Sequence, residues 1–157
     1  MLEVRMYIKE LHATDELPWD LLLEADPSRE LVQEYLHKGK SFLAIENDVV
    51  IGVMVLCRIK NDTYEIKNIS VKENLQGKGI GSMLIKTAIE KAKQLNARFV
   101  EVGTGNSSMD ALRFYQTRGF RIDRLDHDFF VRHYSEKIVE NGIWCRDMVR
   151  LVYCLDK

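Results

Sequence analysis

The chain has 157 residues, of which 46 % are hydrophobic and 30 % are charged. This length and composition are typical of one soluble globular domain, so we expect a single domain over residues 1–157. The formal net charge of −1 excludes a strong general attraction to nucleic acid or to an anionic membrane. An anionic ligand must therefore be bound by a local arrangement of groups.

Three cysteines, Cys57, Cys145 and Cys154, form no C-x-x-C pair, which predicts reduced thiols in a cytoplasmic protein. The first residues lack the basic stretch and apolar run of a signal peptide, and no segment approaches the roughly 18 apolar residues of a membrane helix. The histidines form no H-x-x-x-H pattern, so we predict no metal site.

The first half of the chain predicts a strand, a helical region and then three strands. The first strand is predicted over Leu2 to Ile8. Asp26 as the N-cap and Pro27 in the first helical position predict a helix that Gly39 ends. The three strands are predicted over Ser41 to Glu46, Val49 to Ile59 and Thr63 to Val71, with turns at Asn47-Asp48 and Asn61-Asp62.

The second half alternates helices and strands. Apolar residues spaced three or four apart predict a helix over Gly79 to Leu95. There follow a strand over Arg98 to Val102, a helix from Ser107 or Ser108 to Arg118, and strands over Phe120 to Leu125 and Cys145 to Leu155. The segment from Asp126 to Gly142 is aromatic and charged, and its pattern predicts no definite element.

The order of these elements predicts an α/β (α+β) fold. The early strands adjoin without helices, which favours an antiparallel meander, whereas the strand–helix–strand unit from Glu65 to Val102 predicts one parallel pair. We therefore expect a mixed, mostly antiparallel sheet with helices on its faces.

A glycine-rich loop, Gln76-Gly77-Lys78-Gly79-Ile80-Gly81, lies between a predicted strand and a predicted helix. Glycine allows a ligand to approach the backbone closely, and the start of a helix offers free N–H groups and a partial positive charge. Together these features predict a pyrophosphate site. The spacing fits neither a Walker A loop nor the G-x-G-x-x-G dinucleotide fingerprint, and a purely structural turn is the remaining alternative.

Several motifs in order resemble the GNAT superfamily of acetyl-CoA-dependent N-acetyltransferases. Gln76, Gly79 and Gly81 match its Gln/Arg-x-x-Gly-x-Gly/Ala loop, and the resemblance extends over Val49 to Phe120. The second family motif is matched downstream by Asn106, Ala111, Phe114-Tyr115 and Gly119-Phe120. The resemblance implies a twisted sheet that is splayed at its central parallel pair and holds acetyl-CoA in the gap.

The same resemblance implies a role for individual residues. Backbone groups of Ile69, Ser70 and Val71 would bind the pantetheine arm, and Gln76, Gly77, Lys78, Gly79, Ile80, Gly81 and Ser82 would bind the pyrophosphate. Asn106 would contact the cofactor, or else cap the next helix. Tyr115 would protonate the departing thiolate, although a core aromatic is the alternative.

Two carboxylates are candidates for the base that removes a proton from the acceptor amine. Glu65 precedes Gln76 by the spacing of the base in histone-type members, and Glu101 resembles the glutamate of ribosomal-protein-alanine acetyltransferases. Either glutamate can instead be an ordinary strand residue, and either can act through a water.

The aromatic and acidic segment from Asp126 to Tyr134 suits a cationic amine, a packed connection or a homodimer contact. The resemblance thus implies direct acetyl transfer to a primary amine, first of a small molecule, alternatively of a protein or peptide. A non-catalytic CoA-binding sensor is a third hypothesis. The chain is expected to have neither a nucleic-acid nor a membrane partner.

Overall fold

The structure, a computed structural model, describes residues 6–155. Within them the strands are β1 (Met6–Glu10), β2 (Lys40–Glu46), β3 (Val49–Lys60), β4 (Thr63–Val71), β5 (Phe99–Gly105), β6 (Arg121–Asp126), β7 (Ile138–Glu140), β8 (Ile143–Cys145) and β9 (Met148–Cys154). The helices are α1 (Trp19–Ala25), α2 (Arg29–Lys38), α3 (Ile80–Gln94), α4 (Met109–Thr117) and α5 (Phe129–His133), with a 3-10 turn at Glu73–Leu75.

Seven strands form one sheet in the order β1-β2-β3-β4-β5-β9-β6, and β7 and β8 form a separate hairpin. The pair β4–β5 is parallel and the other pairs of the large sheet are antiparallel. The parallel pair arises because α3 returns the chain to the same end of the sheet. The predicted mixed, mostly antiparallel α/β fold is confirmed.

Helices cover both faces of the sheet. The apolar stripe of α3, which includes Ile80, Leu84 and Ala88, is buried against one face. On the other face α1 and α2 bury Leu21, Leu22 and Val32 against β2 and β3. Each helix buries an apolar stripe on the sheet. The two hydrophobic cores therefore fix the positions of the strands and of the loops that begin at their ends.

Strands β4 and β5 pair over only four residues, and the last pair is Ile66 with Val102. Close to this point β4 contains a bulge, because its residues Ile66 and Asn68 pair with adjacent residues of β3 and Lys67 is left over. A bulge reverses the alternation of side chains along the strand. Glu65 and Asn68 therefore both face α1 and α2, whereas the side chains of Ile69 and Val71 pack on the side of α3.

The N-terminal region differs from the prediction in three respects. The first strand ends at Glu10 rather than Ile8, and residues 2–5 of the predicted strand lie outside the described residues. Helix α1 was not predicted, since it has only seven residues and follows a proline. The N-cap of α2 is Ser28, whose Oγ accepts a hydrogen bond from the N–H of Leu31 at 3.3 Å, and the prediction of Asp26 was wrong.

The predicted last strand, Cys145 to Leu155, is interrupted at residues 146 and 147. The Oδ1 atom of Asn106 accepts hydrogen bonds from the N–H groups of Arg146 and Asp147, at 2.9 and 3.0 Å. Because these two N–H groups bond to a side chain that is distant in the sequence, they do not take part in strand pairing. The unassigned segment before this strand contains α5 and β7.

Candidate active site

A cavity of about 1070 Å³ lies where β4 and β5 diverge, between the start of α3 and helix α4. The predicted site residues that line it are Ile69, Ser70, Val71, Gln76, Gly77, Gly79, Gly81, Ser82 and Tyr115. Five others, namely Glu65, Lys78, Ile80, Glu101 and Asn106, are not in its wall. The volume is large enough for a ligand of cofactor size.

The glycine loop forms one end of the cavity. Gly77 and Gly79 have φ angles of +79° and +87°, which favour glycine, and Gly79 is the N-cap of α3 without any side-chain cap. A Cβ atom at either position would meet no atom within 4 Å, so the loop faces open space. The free N–H groups at the start of α3 are therefore accessible to an anion. Lys78 is exposed beside them.

Helix α4 packs closely against this end. A Cβ atom on Gly81 would lie 3.1 Å from the ring of Phe114, so a glycine allows the two helices to approach. Arg118 lies over the same ring at 3.8 Å and its Nε donates to Ser82 Oγ at 2.8 Å. Arg113 and Arg118 both line the cavity and add positive charge beside the loop. Sequence reasoning missed both, although Arg118 lies next to the matched Gly119.

The end of β4 forms a second wall of the cavity. Ile69, Ser70 and Val71 line it beyond the last residue that pairs with β5. The backbone of this part of β4 therefore has an edge that no β5 ladder occupies. Gln76 connects the strand to the loop, because its Nε2 donates to the carbonyl oxygen of Val71 at 3.2 Å.

Tyr115 lies on the opposite wall and is 6 % exposed. Its ring packs edge-on against Phe114 and Phe120, with ring centres 5.3 and 5.8 Å apart. Burial raises the pKa of the Tyr115 phenol to about 12. The hydroxyl group is therefore protonated throughout the neutral range and can donate a proton into the cavity.

The two candidate bases are adjacent. Glu65 and Glu101 are partners in the parallel β4–β5 register, and both are buried. An Oε atom of Glu65 accepts a hydrogen bond from Arg150 at 3.0 Å, and its other oxygen lies 3.1 Å from Lys67 Nζ. Glu101 accepts from Arg124 at 2.6 Å. Since neither glutamate lines the cavity, each would need a bridging water to reach an amine in it.

Asn106 has its side chain turned away from the cavity. Its Nδ2 donates to the carbonyl oxygen of Trp144 at 3.1 Å, and its Oδ1 accepts from the two N–H groups that interrupt the last strand. The side chain thus anchors the β7–β8 hairpin to the end of β5. The predicted contact of Asn106 with a cofactor stays a prediction.

Carboxylates also line the cavity, and they are Glu24 from α1, Asp110 from α4 and Glu140 from β7. Glu140 and Asp110 lie at the start of α4, whereas Arg118 lies at the end of that helix and contacts Ser82. Glu140 accepts hydrogen bonds from the hydroxyl groups of Ser108, at 2.6 Å, and Ser107, at 3.3 Å. No sequence motif marks these residues, because they meet only through the fold. The cavity is therefore positive at the glycine loop and negative at this end.

Three further structural findings concern metals, membranes and thiols. Within residues 6–155, no three His, Cys, Asp or Glu side chains form a group that could hold a metal ion, and none of the helices has the length and apolar character needed to cross a membrane. Burial raises the pKa of the Cys57 thiol to about 11, which disfavours the nucleophilic thiolate.

Comparison with known proteins places these features in a family context. The family model described as "Acetyltransferase (GNAT) family" matches residues 8–120. The chain is 58 % identical over 137 residues to "Uncharacterized N-acetyltransferase YvbK" of Bacillus subtilis (strain 168), which covers 87 % of this chain and 88 % of that protein.

Solved structures agree with this match. A GNAT family acetyltransferase from Elizabethkingia anophelis with acetyl-CoA bound superposes with a TM-score of 0.94 and 45 % identity, covering 96 % of this chain and 98 % of that one. A Bacillus subtilis acetyltransferase in complex with CoA gives a TM-score of 0.92 and 52 % identity, covering 97 % and 100 %.

Proposed function

This chain belongs to the acetyltransferase (GNAT) family, and from that premise we propose that it moves the acetyl group of acetyl-CoA directly onto a primary amine of a small molecule. The predicted family and reaction class, an acyltransferase, are confirmed. The observation that carries the proposal is the charge distribution of the cavity, which suits an anionic donor at one end and a cationic acceptor at the other.

The donor end fits acetyl-CoA. The N–H groups at the start of α3 would bind the pyrophosphate, and Arg113 and Arg118 would add charge for phosphate groups. The edge of β4 at Ile69 and Val71 would hydrogen-bond the pantetheine amides. When bound, acetyl-CoA supplies a thioester whose acetyl carbon is open to attack by an amine.

Tyr115 would supply the proton that the departing thiolate requires. It lines the cavity between the two ends, and burial keeps its phenol protonated at neutral pH. A buried hydroxyl group beside a developing anion is a suitable general acid. An N–H group of β4 beyond the bulge is a suitable hydrogen-bond donor to the carbonyl oxygen during attack.

Glu65 would accept the amine proton through a water, with Glu101 as the second candidate. Both lie one residue before the point where the strands diverge. Strand β4 contributes Ile69, Ser70 and Val71 to the cavity wall, whereas none of the residues that line the cavity belongs to β5. Because Glu65 is on the strand that forms this wall, we favour Glu65 as the base.

Glu24 and Glu140 would attract the protonated form of the amine before it loses its proton. Opposite charge in the cavity wall raises the local concentration of a cationic ligand, although screening by salt limits the effect. This arrangement favours amines that carry more than one positive charge over neutral ones.

The decisive test is an acetyl-CoA consumption screen against polyamines, aminoglycosides, amino acids and short peptides. We expect turnover with polycationic small amines and a rise in melting temperature with acetyl-CoA alone. Turnover confined to peptides would contradict the small-molecule acceptor. Stabilisation by acetyl-CoA without turnover on any amine would favour a sensor, and no stabilisation would contradict the donor site.

A further inference from the structure

Four charged side chains lie across four neighbouring strands of the sheet, one on each strand. Glu65 on β4 is opposite Glu101 on β5, and Arg150 on β9 is opposite Arg124 on β6. Each arginine extends past the neighbouring strand to reach a glutamate on the strand beyond it. Arg150 crosses β5 to Glu65, and Arg124 crosses β9 to Glu101.

Gly103 makes the first crossing possible. It is the cross-strand partner of Arg150 in the β5–β9 register, and a Cβ atom placed on it would lie 3.0 Å from Arg150 Nη1. A side chain at this position would crowd the guanidinium group, and it would crowd Met148 Sδ, at 2.6 Å, more strongly. The absence of a side chain at Gly103 therefore leaves room for Arg150 to cross β5 toward Glu65.

The two ion pairs differ in exposure. The side chains of Arg150 and Glu65 are 16 % and 11 % exposed, whereas Arg124 is 49 % exposed against 5 % for Glu101. A buried pair is screened little by solvent, but taking two charges out of water costs about as much free energy as their attraction returns. Stability alone is therefore a weak reason for a buried pair at this position.

The surroundings of Glu65 indicate what Arg150 does. Its strand neighbour Glu101 is a like charge, and carboxylates directly opposite each other repel. Its remaining cationic partner, Lys67, lies in the bulge and is 33 % exposed. Arg150 donates to one oxygen of the Glu65 carboxylate across β5, and Lys67, at the bulge of the β3–β4 pair, approaches the other oxygen. Without Arg150, the orientation of the carboxylate would be set by Lys67 and by repulsion from Glu101.

We propose that Arg150 is a positioning residue, which crosses β5 over Gly103 to hold the Glu65 carboxylate in the orientation required of the base. The proposal rests on the proposed function. Arg150 does not line the cavity, so its effect is exerted through Glu65 and not through contact with either substrate. The pair Arg124–Glu101 has the same form on the neighbouring strands and serves as the internal control.

A double-mutant cycle in kcat tests the proposal. Glu65→Gln is expected to lower kcat by about a hundredfold or more, and Arg150→Met by about tenfold to a hundredfold. In the Glu65→Gln background, Arg150→Met is expected to change kcat by less than about twofold, because there is no carboxylate left to position. The KM for acetyl-CoA should stay unchanged in Arg150→Met.

Two further variants separate positioning from folding. Arg150→Lys keeps a cation and is expected to recover part of the lost kcat. Gly103→Ala keeps Arg150 but crowds its guanidinium group and Met148 Sδ, and it should lower kcat less than Arg150→Met does. Arg124→Met, the matched control, should show no coupling to Glu65→Gln.

The outcomes distinguish a positioning role of Arg150 from a structural one. An equal loss of kcat on Arg150→Met in the wild-type and Glu65→Gln backgrounds would indicate a structural role and overturn the proposal. If the cycle shows coupling of Arg124→Met, and not of Arg150→Met, to Glu65→Gln, the proposal is overturned as well. A wild-type protein that binds acetyl-CoA but acetylates no amine would contradict the proposed function instead, so the two failures are distinguishable.

Discussion

The two ends of the cavity are constructed differently. The glycine-loop end consists of consecutive residues, and its binding groups are backbone N–H groups exposed by positive φ angles at Gly77 and Gly79. The acidic end consists of side chains from α1, α4 and β7, and Glu140 is held there by the hydroxyl groups of Ser107 and Ser108.

This difference predicts which part of the cavity tolerates substitution. A backbone site binds the phosphates that every acetyl-CoA molecule carries and tolerates little change in local sequence. A site made of side chains on separate elements changes its charge and shape by single substitutions without disturbing the fold. Variants should therefore affect donor and acceptor parameters separately.

The largest effect is expected at Tyr115, which lies between the two ends. Tyr115→Phe should lower kcat by about a hundredfold to ten-thousandfold because the general acid is lost, while both KM values change little. Because burial raises the pKa of the phenol to about 12, the wild-type kcat should not fall as the pH rises past the ordinary phenol value of 10.0. Steady-state kinetics across pH measures both effects.

The control for this variant is Tyr153→Phe. Tyr153 packs against Phe120 in the same aromatic cluster, with ring centres 5.5 Å apart, but does not line the cavity. It should retain kcat. Full kcat in Tyr115→Phe at every pH would remove Tyr115 from the mechanism.

The donor end is tested at Gly79. Gly79→Ala places a side chain where the phosphates approach and forces an alanine to a φ angle of +87°. We expect the Kd of acetyl-CoA to rise about tenfold to a hundredfold, because charge-assisted N–H bonds to phosphate are lost. Isothermal titration calorimetry of acetyl-CoA measures this change, and the KM of the amine should stay within about twofold if the two ends are separate.

Gly142→Ala is the matched control for backbone strain. Gly142 has a φ angle of +74°, and a Cβ atom there would also meet no atom within 4 Å, but the residue lies in the β7–β8 turn and does not line the cavity. Both variants should lose similar stability, of about 1 kcal/mol. An equal loss of acetyl-CoA affinity in both would show that strain, and not the phosphate site, is responsible.

The same contrast explains how much of the molecule could be predicted from sequence. Helix α3 and the loop before it were predicted closely, because apolar spacing and glycines within one segment specify them. Tyr115 was predicted through the Phe-Tyr motif. The remaining half of the site depends on contacts between distant segments, which no local pattern records.

Three particular features could not be predicted from local sequence. The bulge at Lys67, which places Glu65 and Asn68 on one face, depends on how β3 pairs with β4. The interruption of the last strand depends on the side chain of Asn106. The ion pair of Arg150 with Glu65 spans 85 positions of sequence and requires the β5–β9 register. Each is a tertiary outcome and becomes visible only in the structure.

Asn106 provides a test of a residue that anchors the hairpin on which Glu140 lies. Asn106→Ala removes three hydrogen bonds that anchor the β7–β8 hairpin, and we expect a loss of about 2 kcal/mol in the free energy of unfolding, a factor of about 30. Chemical denaturation measures the loss. Asn106→Asp retains the Oδ1 acceptor and should lose less. A large rise in the Kd of acetyl-CoA with unchanged stability would instead support the predicted contact of Asn106 with the cofactor.

The smallest effects are expected at the acidic end. Glu24→Gln and Glu140→Gln should each raise the KM of a polycationic amine about twofold to fivefold, because a solvent-accessible charge pair contributes only up to about 1 kcal/mol. The effect should shrink in high salt, and the Kd of acetyl-CoA should not change. Glu136→Gln is the matched control, since Glu136 is exposed nearby but does not line the cavity. If the control raises the KM as much as Glu24→Gln does, the acceptor responds to the net charge of the surface and the cavity has no acceptor site of its own at this end.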